Sequence, residues 1–335
     1  MGQMEMRAGC AAPAGEVSGV GFEGVAVQEV EGVTRVVSWD RVRRVGGEWE
    51  DEFASFEAVA EMAWRARTRL ERGDALGAEP LFEDLFELYG GKRGATARVV
   101  CEGLLRCRLR RGAIVGAIEA WLGTLGAGGA GEWAREAGLA PVLDEDRGVV
   151  PGLPPMWVES SAVAVLATSG LSDEDGFARW YRRAAAFECG LEMGEMPPRG
   201  GRAAWVAEIV LARTGTAEER ASGREALRSR MANASGGLPA WAEAWCRAAI
   251  GRSLILEEDE EQRLLGIVEL LHVPSRLADA NPYLAGLALA EASVALSDLG
   301  EAGGAARLAG ELSERYPTHP ALGWKRLTTA REATR

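Results

Sequence analysis

The sequence predicts a mostly α-helical protein built from stacked helix pairs, with a small β-hairpin element ahead of them. Three observations predict it. From Phe53 to the C-terminus apolar residues recur with a helical period, interrupted at only two stretches. Three places, Gly73/Ala78, Gly112/Ala117 and Gly300/Ala305, repeat a glycine that ends one helix and an alanine inside the next. Before Phe53 the apolar residues are β-branched and fall in short runs.

Taken in order, residues 1–19 are small, polar and glycine-containing, without a period that defines a packed element, and are expected to be mobile. Residues 20–50 form the β element. Val25, Val27 and Val30, then Val33, Val36 and Val37, are two runs separated by Glu31-Gly32, a turn pair suited to a tight hairpin, and Arg41 to Val45 is a third short run. So small a sheet must pack on the helices or pair with another strand. Residues 51–126 read as helix pairs and 127–158 as a Gly/Pro-rich strap. The break in helical text runs from Gly123 to Pro155, with one short helix around Trp133 and prolines at 141, 151, 154 and 155. Residues 159–335 return to helical repeats, broken again from Gly190 to Gly201.

Within the last region Ser172 with Asp175 reads as the capped, acidic start of a helix through Cys189, and Thr216 with Glu219 as a capping box opening a helix to Met231. Ala203 to Leu211 is an apolar segment before it. Pro239 to Leu256 and Glu261 to Leu271 make the next pair, ended by Pro274.

Alignment on the three Gly/Ala pairs puts Leu81, Ala120 and Leu308 in register, then Phe82, Trp121 and Ala309. A small residue lets the second helix approach its partner, larger ones fill the groove beyond, and the turn glycine supplies a left-handed cap. Trp64 to Gly90 and Leu287 to Pro317 resemble tetratricopeptide-repeat units, with Gly300, Ala305 and Pro317 at that family's turn, packing and terminating positions. The unit around Gly112 departs from the pattern at Leu105, where the family prefers a small residue, and its distance from Gly73 exceeds the ~34-residue period. The resemblance implies a right-handed α-solenoid with Gly73, Ala78, Phe82, Gly112, Ala117, Trp121, Gly300, Ala305 and Pro317 at packing positions. It also implies a non-enzymatic scaffold that binds a protein or peptide partner.

Composition narrows the function classes. A net charge of −12, spread along 335 residues, argues against a protein that neutralises phosphate backbones, so no nucleic-acid partner is expected. The basic clusters at Arg41, Arg43 and Arg44 and at Arg106, Arg108, Arg110 and Arg111 sit among acids without aromatic platforms and read as solvated helix faces. Five scattered cysteines, Cys10, Cys101, Cys107, Cys189 and Cys246, suit buried reduced thiols better than disulfides or a metal site. No apolar run reaches the ~18 residues of a membrane span, and residues 1–10 lack the apolar core of a signal peptide. A cytoplasmic location is expected. The alternative is an exported, envelope or secretion-associated protein, suggested by Arg7-Ala8-Gly9-Cys10, which looks like the end of a lipoprotein or signal cleavage region.

Parts for catalysis are few, and no catalytic, cofactor or metal residue is assigned. His272 and His319 lie far apart and read as structural. Asp144 to Gly148 is spaced wrongly for a calcium loop and reads as a polar turn, although an enzyme using carboxylates around Asp144 to Asp146 is a second alternative. Glu257 to Glu261 reads as a solvated helix start. Of eleven tryptophans, Trp64, Trp121, Trp180, Trp205, Trp241 and Trp245 fall in helical text and suit gaps between helices. Trp157, with Pro154 and Pro155, is either part of a pinned strap or a candidate recognition loop.

Overall fold

The computed structural model describes residues 3–332 except 9, 12, 30, 31, 130, 131 and 235. Val30, Glu31 and Gly131, which figure in the expected hairpin and strap, lie outside the described residues. The chain divides into two compact units, Met1–Leu143 and Asp144–Arg335.

The first unit opens with β1 (Met4–Met6), β2 (Gly15–Gly21), β3 (Gly24–Glu29), β4 (Thr34–Val37) and β5 (Val42–Val45). The strands form two sheets. β2, β3 and β4 make an antiparallel meander, in register at Val25↔Val37, while β5 turns away and pairs with β1. Residues 1–19 therefore carry two strands, contrary to the expectation of a segment without packed elements. The reason the signal is faint lies in composition. β1 is three residues long and β2 has three glycines, poor strand formers taken singly. Gly15 is required where it stands, because a Cβ there would sit 2.2 Å from the Gln28 carbonyl oxygen.

Six helices follow: α1 (Glu50–Ala54), α2 (Glu57–Glu71), α3 (Ala75–Tyr89), α4 (Ala95–Arg110), α5 (Ile114–Ala127) and α6 (Glu132–Glu136). The sheet docks on them through named bonds. Tyr89 donates its hydroxyl to the Phe22 carbonyl at 3.1 Å, and Thr96 accepts from the Trp39 N–H at 3.0 Å while donating to the Glu23 carbonyl at 2.8 Å. Trp39 stacks on Phe56 with ring centroids 5.1 Å apart. Helix α5 runs to Ala127, so Gly123 and Gly126 belong to it rather than to the strap. Close packing explains Gly123, since a Cβ would lie 2.9 Å from the Cys101 sulfur.

The second unit begins with a turn and an extended Pro-rich segment. It continues through α7 (Ser161–Ala167), α8 (Phe177–Glu188), α9 (Ala204–Thr214), α10 (Ala217–Asn233), α11 (Ala240–Leu254), α12 (Glu260–Arg276), α13 (Pro282–Asp298), α14 (Ala302–Arg315) and α15 (Lys325–Glu332). Consecutive helices pack on one another in both units. Thr216 and Glu219 form a reciprocal capping box at the start of α10. Helix α8 is capped differently from the sequence expectation: Asp173, not Ser172, accepts from the N–H groups of Phe177 and Ala178 at 3.0 and 2.6 Å. Helix α12 also passes through Pro274 instead of ending before it. The proline forfeits one N–H bond. The last-turn carbonyls find side-chain donors, with Ser275 Oγ at 2.7 Å from the Leu271 oxygen and Arg315 at 3.3 Å from that of Pro274.

The turns show the helix pairing most directly. Gly73, Gly112 and Gly300 take φ of +85°, +75° and +82°, open to glycine at no steric cost. Their N–H groups donate to Leu70, Leu109 and Ser297, and the next residues, Asp74, Ala113 and Glu301, donate to Arg69, Arg108 and Leu296. The same two bonds close α2, α4 and α13. At two of the turns an arginine then clamps the following helix, Arg69 to the Gly77 carbonyl at 2.8 Å and Arg108 to that of Gly116 at 2.7 Å. Ala78, Ala117, Ala305, Phe82 and Trp121 are buried, and Pro317 is exposed beyond the end of α14.

Candidate functional site

The Pro-rich segment is held in the second unit as an extended peptide would be in a groove. The Pro151 carbonyl accepts from Trp245 Nε1 at 3.0 Å and Asn281 Nδ2 at 2.9 Å. Tyr181 donates to the Leu153 carbonyl, Tyr283 to that of Met156 at 3.1 Å, and Arg252 to that of Trp157 at 2.7 Å. Prolines at 151, 154 and 155 bring no N–H, so the groove needs to supply donors almost alone, which is what this set of side chains offers. Trp157 is 2% exposed and lies edge-on to Tyr181 at 5.7 Å, and Pro154 and Pro155 are buried with it. Pro154, Pro155 and Trp157 are therefore part of a pinned strap and not an exposed recognition loop, because all three are buried and the Trp157 carbonyl is bonded by Arg252 of α11.

Beneath the segment lies a cluster of four charged side chains. Arg252 meets Glu291 through Nε at 2.7 Å and Nη2 at 2.9 Å, and Glu188 through Nη2 at 3.0 Å. Arg213 reaches Glu188 at 3.1 Å and the Arg252 carbonyl at 2.6 Å. Burial alone would raise the Glu188 carboxyl, but Arg213 and Arg252 outweigh it and hold Glu188 below its ordinary value. Two arginines and two glutamates balance, and the guanidinium that joins them also fastens the strap. The cluster is a clasp. Sequence reasoning passed over these residues because they come from four different helix regions; the one local hint is a charge set in small apolar text, as at Arg252 and Glu291.

Among the described residues, the solvent side of α12 carries three exposed large apolar side chains. Gly266, Ile267, Leu270 and Val273 face inward, whereas Leu264, Leu265 and Val268 are 43%, 47% and 53% exposed. Spacing of i, i+1 and i+4 puts the three side by side. At the helix start Asp259 caps the Gln262 N–H at 3.0 Å and Glu257 pairs with Arg224 at 2.7 Å. Glu258, Glu260 and Glu261 are exposed and make no ion pair among the described residues. One basic residue, Arg263, shares these turns.

The remaining candidates fall into structural places. His319 is 8% exposed; its Nδ1 accepts from the Ala321 N–H at 3.1 Å, so Nε2 carries the proton it shares with the Tyr283 carbonyl at 2.9 Å. His272 lies in the last turns of α12. Asp144 accepts from the Arg147 N–H and guanidinium at 2.9 and 2.8 Å, closing a turn. Cys101, Cys107 and Cys246 are buried, and burial pushes the first two thiols up to about 12 and the third to about 11. Cys10 and Cys189 are half-buried, not buried as expected, and all five are free. Among the described residues no group of three or more His, Cys, Asp or Glu is placed to hold a metal ion, and no helix is long and apolar enough to cross a membrane. The expected tryptophan filling takes a concentrated form, Trp205, Trp241 and Trp245 packing mutually at 5.2 to 5.4 Å.

Comparison with protein-family models, with curated proteins and with solved structures gives no match to this chain. The fold itself is a mostly helical one with a small N-terminal antiparallel sheet, its helices packed in neighbouring pairs compatible with a helical repeat.

Proposed function

We propose that the chain is a non-enzymatic scaffold of tetratricopeptide type, its helix pairs stacked with the right-handed sense of that family, and that it binds a protein partner on the outer face of α12. The observation that carries the reading is the exposed Leu264, Leu265 and Val268 patch beside three unpaired carboxylates at Glu258, Glu260 and Glu261. Neighbouring apolar side chains left on the solvent side of a helix are what a partner's apolar residues would cover. The acidic border and the net charge of −12 favour a partner segment that sets apolar residues among lysines or arginines. The groove of the second unit supports the same class of function by example, since an extended peptide, the chain's own strap, already lies in it.

The test compares the wild-type chain with Leu264→Asp/Val268→Asp. The variant keeps the melting temperature, because both positions are exposed, and loses a salt-sensitive complex that the wild type retains during purification from its own cells. Turnover of a substrate by the purified chain, with no such complex recovered, would overturn the proposal.

A further inference from the structure

Buried guanidinium groups in this protein come with carboxylates. Arg67 pairs with Asp40 at 2.8 Å, Arg98 with Glu102 at 3.4 Å and Arg252 with Glu291 at 2.7 Å. Arg183 on α8 is the exception among the buried arginines of the described residues. It is 7% exposed, and among the described residues its one hydrogen bond runs from Nε to Thr214 Oγ1 at 3.3 Å. Leaving a charge buried and unpaired is costly unless something outside the chain completes it.

The surroundings indicate what that is. Arg179 lies one turn of α8 before both Arg182 and Arg183, at i+3 and i+4, and all three line one cleft of about 290 Å³. Arg182 donates to the Ser169 carbonyl at 2.9 Å and keeps a buried Nε without a partner; neither it nor Arg179 makes an ion pair among the described residues. Arginines that line two other clefts have carboxylate partners. In that of about 440 Å³ Arg41 pairs with Glu136 at 2.8 Å, and in that of about 430 Å³ Arg147 pairs with Asp144 and Arg230 with Glu208, both partners lying outside the lining.

We propose that the cleft along α8 binds phosphate, either free or as the monoester of a small molecule, through Arg179, Arg182 and Arg183. Three planar guanidinium groups on one wall match the several oxygens of a phosphate with paired N–H donors, which a carboxylate could use only in part. Burial pulls the Arg183 guanidinium below its ordinary value, with Arg199 adding to this and Glu219 opposing it, so a bound anion would relieve an existing cost. Glu192 and Glu195 also line the cleft, from the exposed loop after α8, and make no ion pair among the described residues. They set three positive against two negative groups around the cleft and confine the anion to the arginine wall. The inference is independent of partner binding on α12.

Calorimetric titration of the full chain with sodium phosphate, and separately with glycerol 3-phosphate, tests it against sodium chloride at matched ionic strength. Saturable binding of at least one of the two, absent with chloride, is expected, with a loss of about tenfold or more in Arg183→Gln. Arg179→Gln, at an exposed position that the fold does not need, lowers affinity in the same direction and keeps the test open if Arg183→Gln fails to fold. Tighter binding of the ester assigns a phosphorylated small molecule, and equal or weaker binding assigns free phosphate. Heats indistinguishable from those of chloride, or unchanged affinity in both variants, would overturn the proposal.

Discussion

Arg252 and Glu291 meet side by side inside the second unit, both carboxylate oxygens engaged by one guanidinium at 2.7 and 2.9 Å, with each residue nearly inaccessible to solvent. The pair is the keystone between α11 and α13, and through the Trp157 carbonyl it reaches the strap. Its removal therefore has consequences that a surface pair would not.

Substituting Arg252→Met takes from the buried Glu291 both of its close bonds, leaving only Arg213 at 3.8 Å, and leaves the Trp157 carbonyl without its donor. A loss of about 3 to 5 kcal/mol is expected in urea unfolding. Adding Glu291→Leu to the same chain returns part of that loss, because the orphaned charge goes too. Equal stability of the single variant and the wild type would show that the clasp contributes nothing.

Trp157 anchors the strap by its ring as well as its carbonyl. Trp157→Ala should cost about 3 to 5 kcal/mol, as large-to-small changes at buried aromatic positions do. It should also open residues 149–160 to limited proteolysis. A strap as resistant as in the wild type would mean that the five side-chain bonds to its carbonyls hold it unaided.

Ala305 tests the helix pairing. It is buried where α14 meets α13, and the Ser293 hydroxyl donates to its carbonyl at 2.8 Å. Ala305→Leu overfills that contact, with an expected loss of about 1 to 3 kcal/mol by thermal unfolding. Gly303→Ala, where a Cβ meets nothing, should cost no stability by comparison.

His319 gives the protein a pH dependence. Burial holds the imidazole below its ordinary value, against the opposing bond to the Tyr283 carbonyl, so the folded state disfavours the proton relative to the unfolded state. Its contribution is present in full above the unfolded value of about 6.5 and declines as pH falls toward and through the lower folded value. Protonation of Nδ1 also removes the acceptor for the Ala321 N–H. The melting temperature should fall from pH 7 to pH 5 more in the wild type than in His319→Gln; parallel curves would remove this role.

Much of the helical text was legible because its signals are local. Thr216 and Glu219 read as a capping box and form one, and a glycine followed by a helix-facing alanine marks the turns at Gly73, Gly112 and Gly300. What escaped depended on distant partners or on competition between neighbours. β1 exists through its pairing with β5, Asp173 displaced Ser172 as the cap of α8, and α12 continues past Pro274, close to its C-terminal end at Arg276, where the proline forfeits one bond. The clasp joins residues from 188 to 291, which no window of sequence spans. Exposure of Leu264, Leu265 and Val268 is not marked in the helical text from Glu261 to Leu271, because which side of α12 turns inward is set by its neighbours. The arginines of α8 carry no signal in the sequence, because a missing carboxylate is visible only in three dimensions.

The central claim is that α12 carries the partner-binding face. Hydrogen–deuterium exchange of the purified complex against the free chain tests it most directly, read over residues 256–276. The account predicts slower exchange there on binding, with residues 151–158 unchanged because the strap stays seated. Protection confined to other helices, or faster exchange of the strap as a partner displaces it, would contradict it.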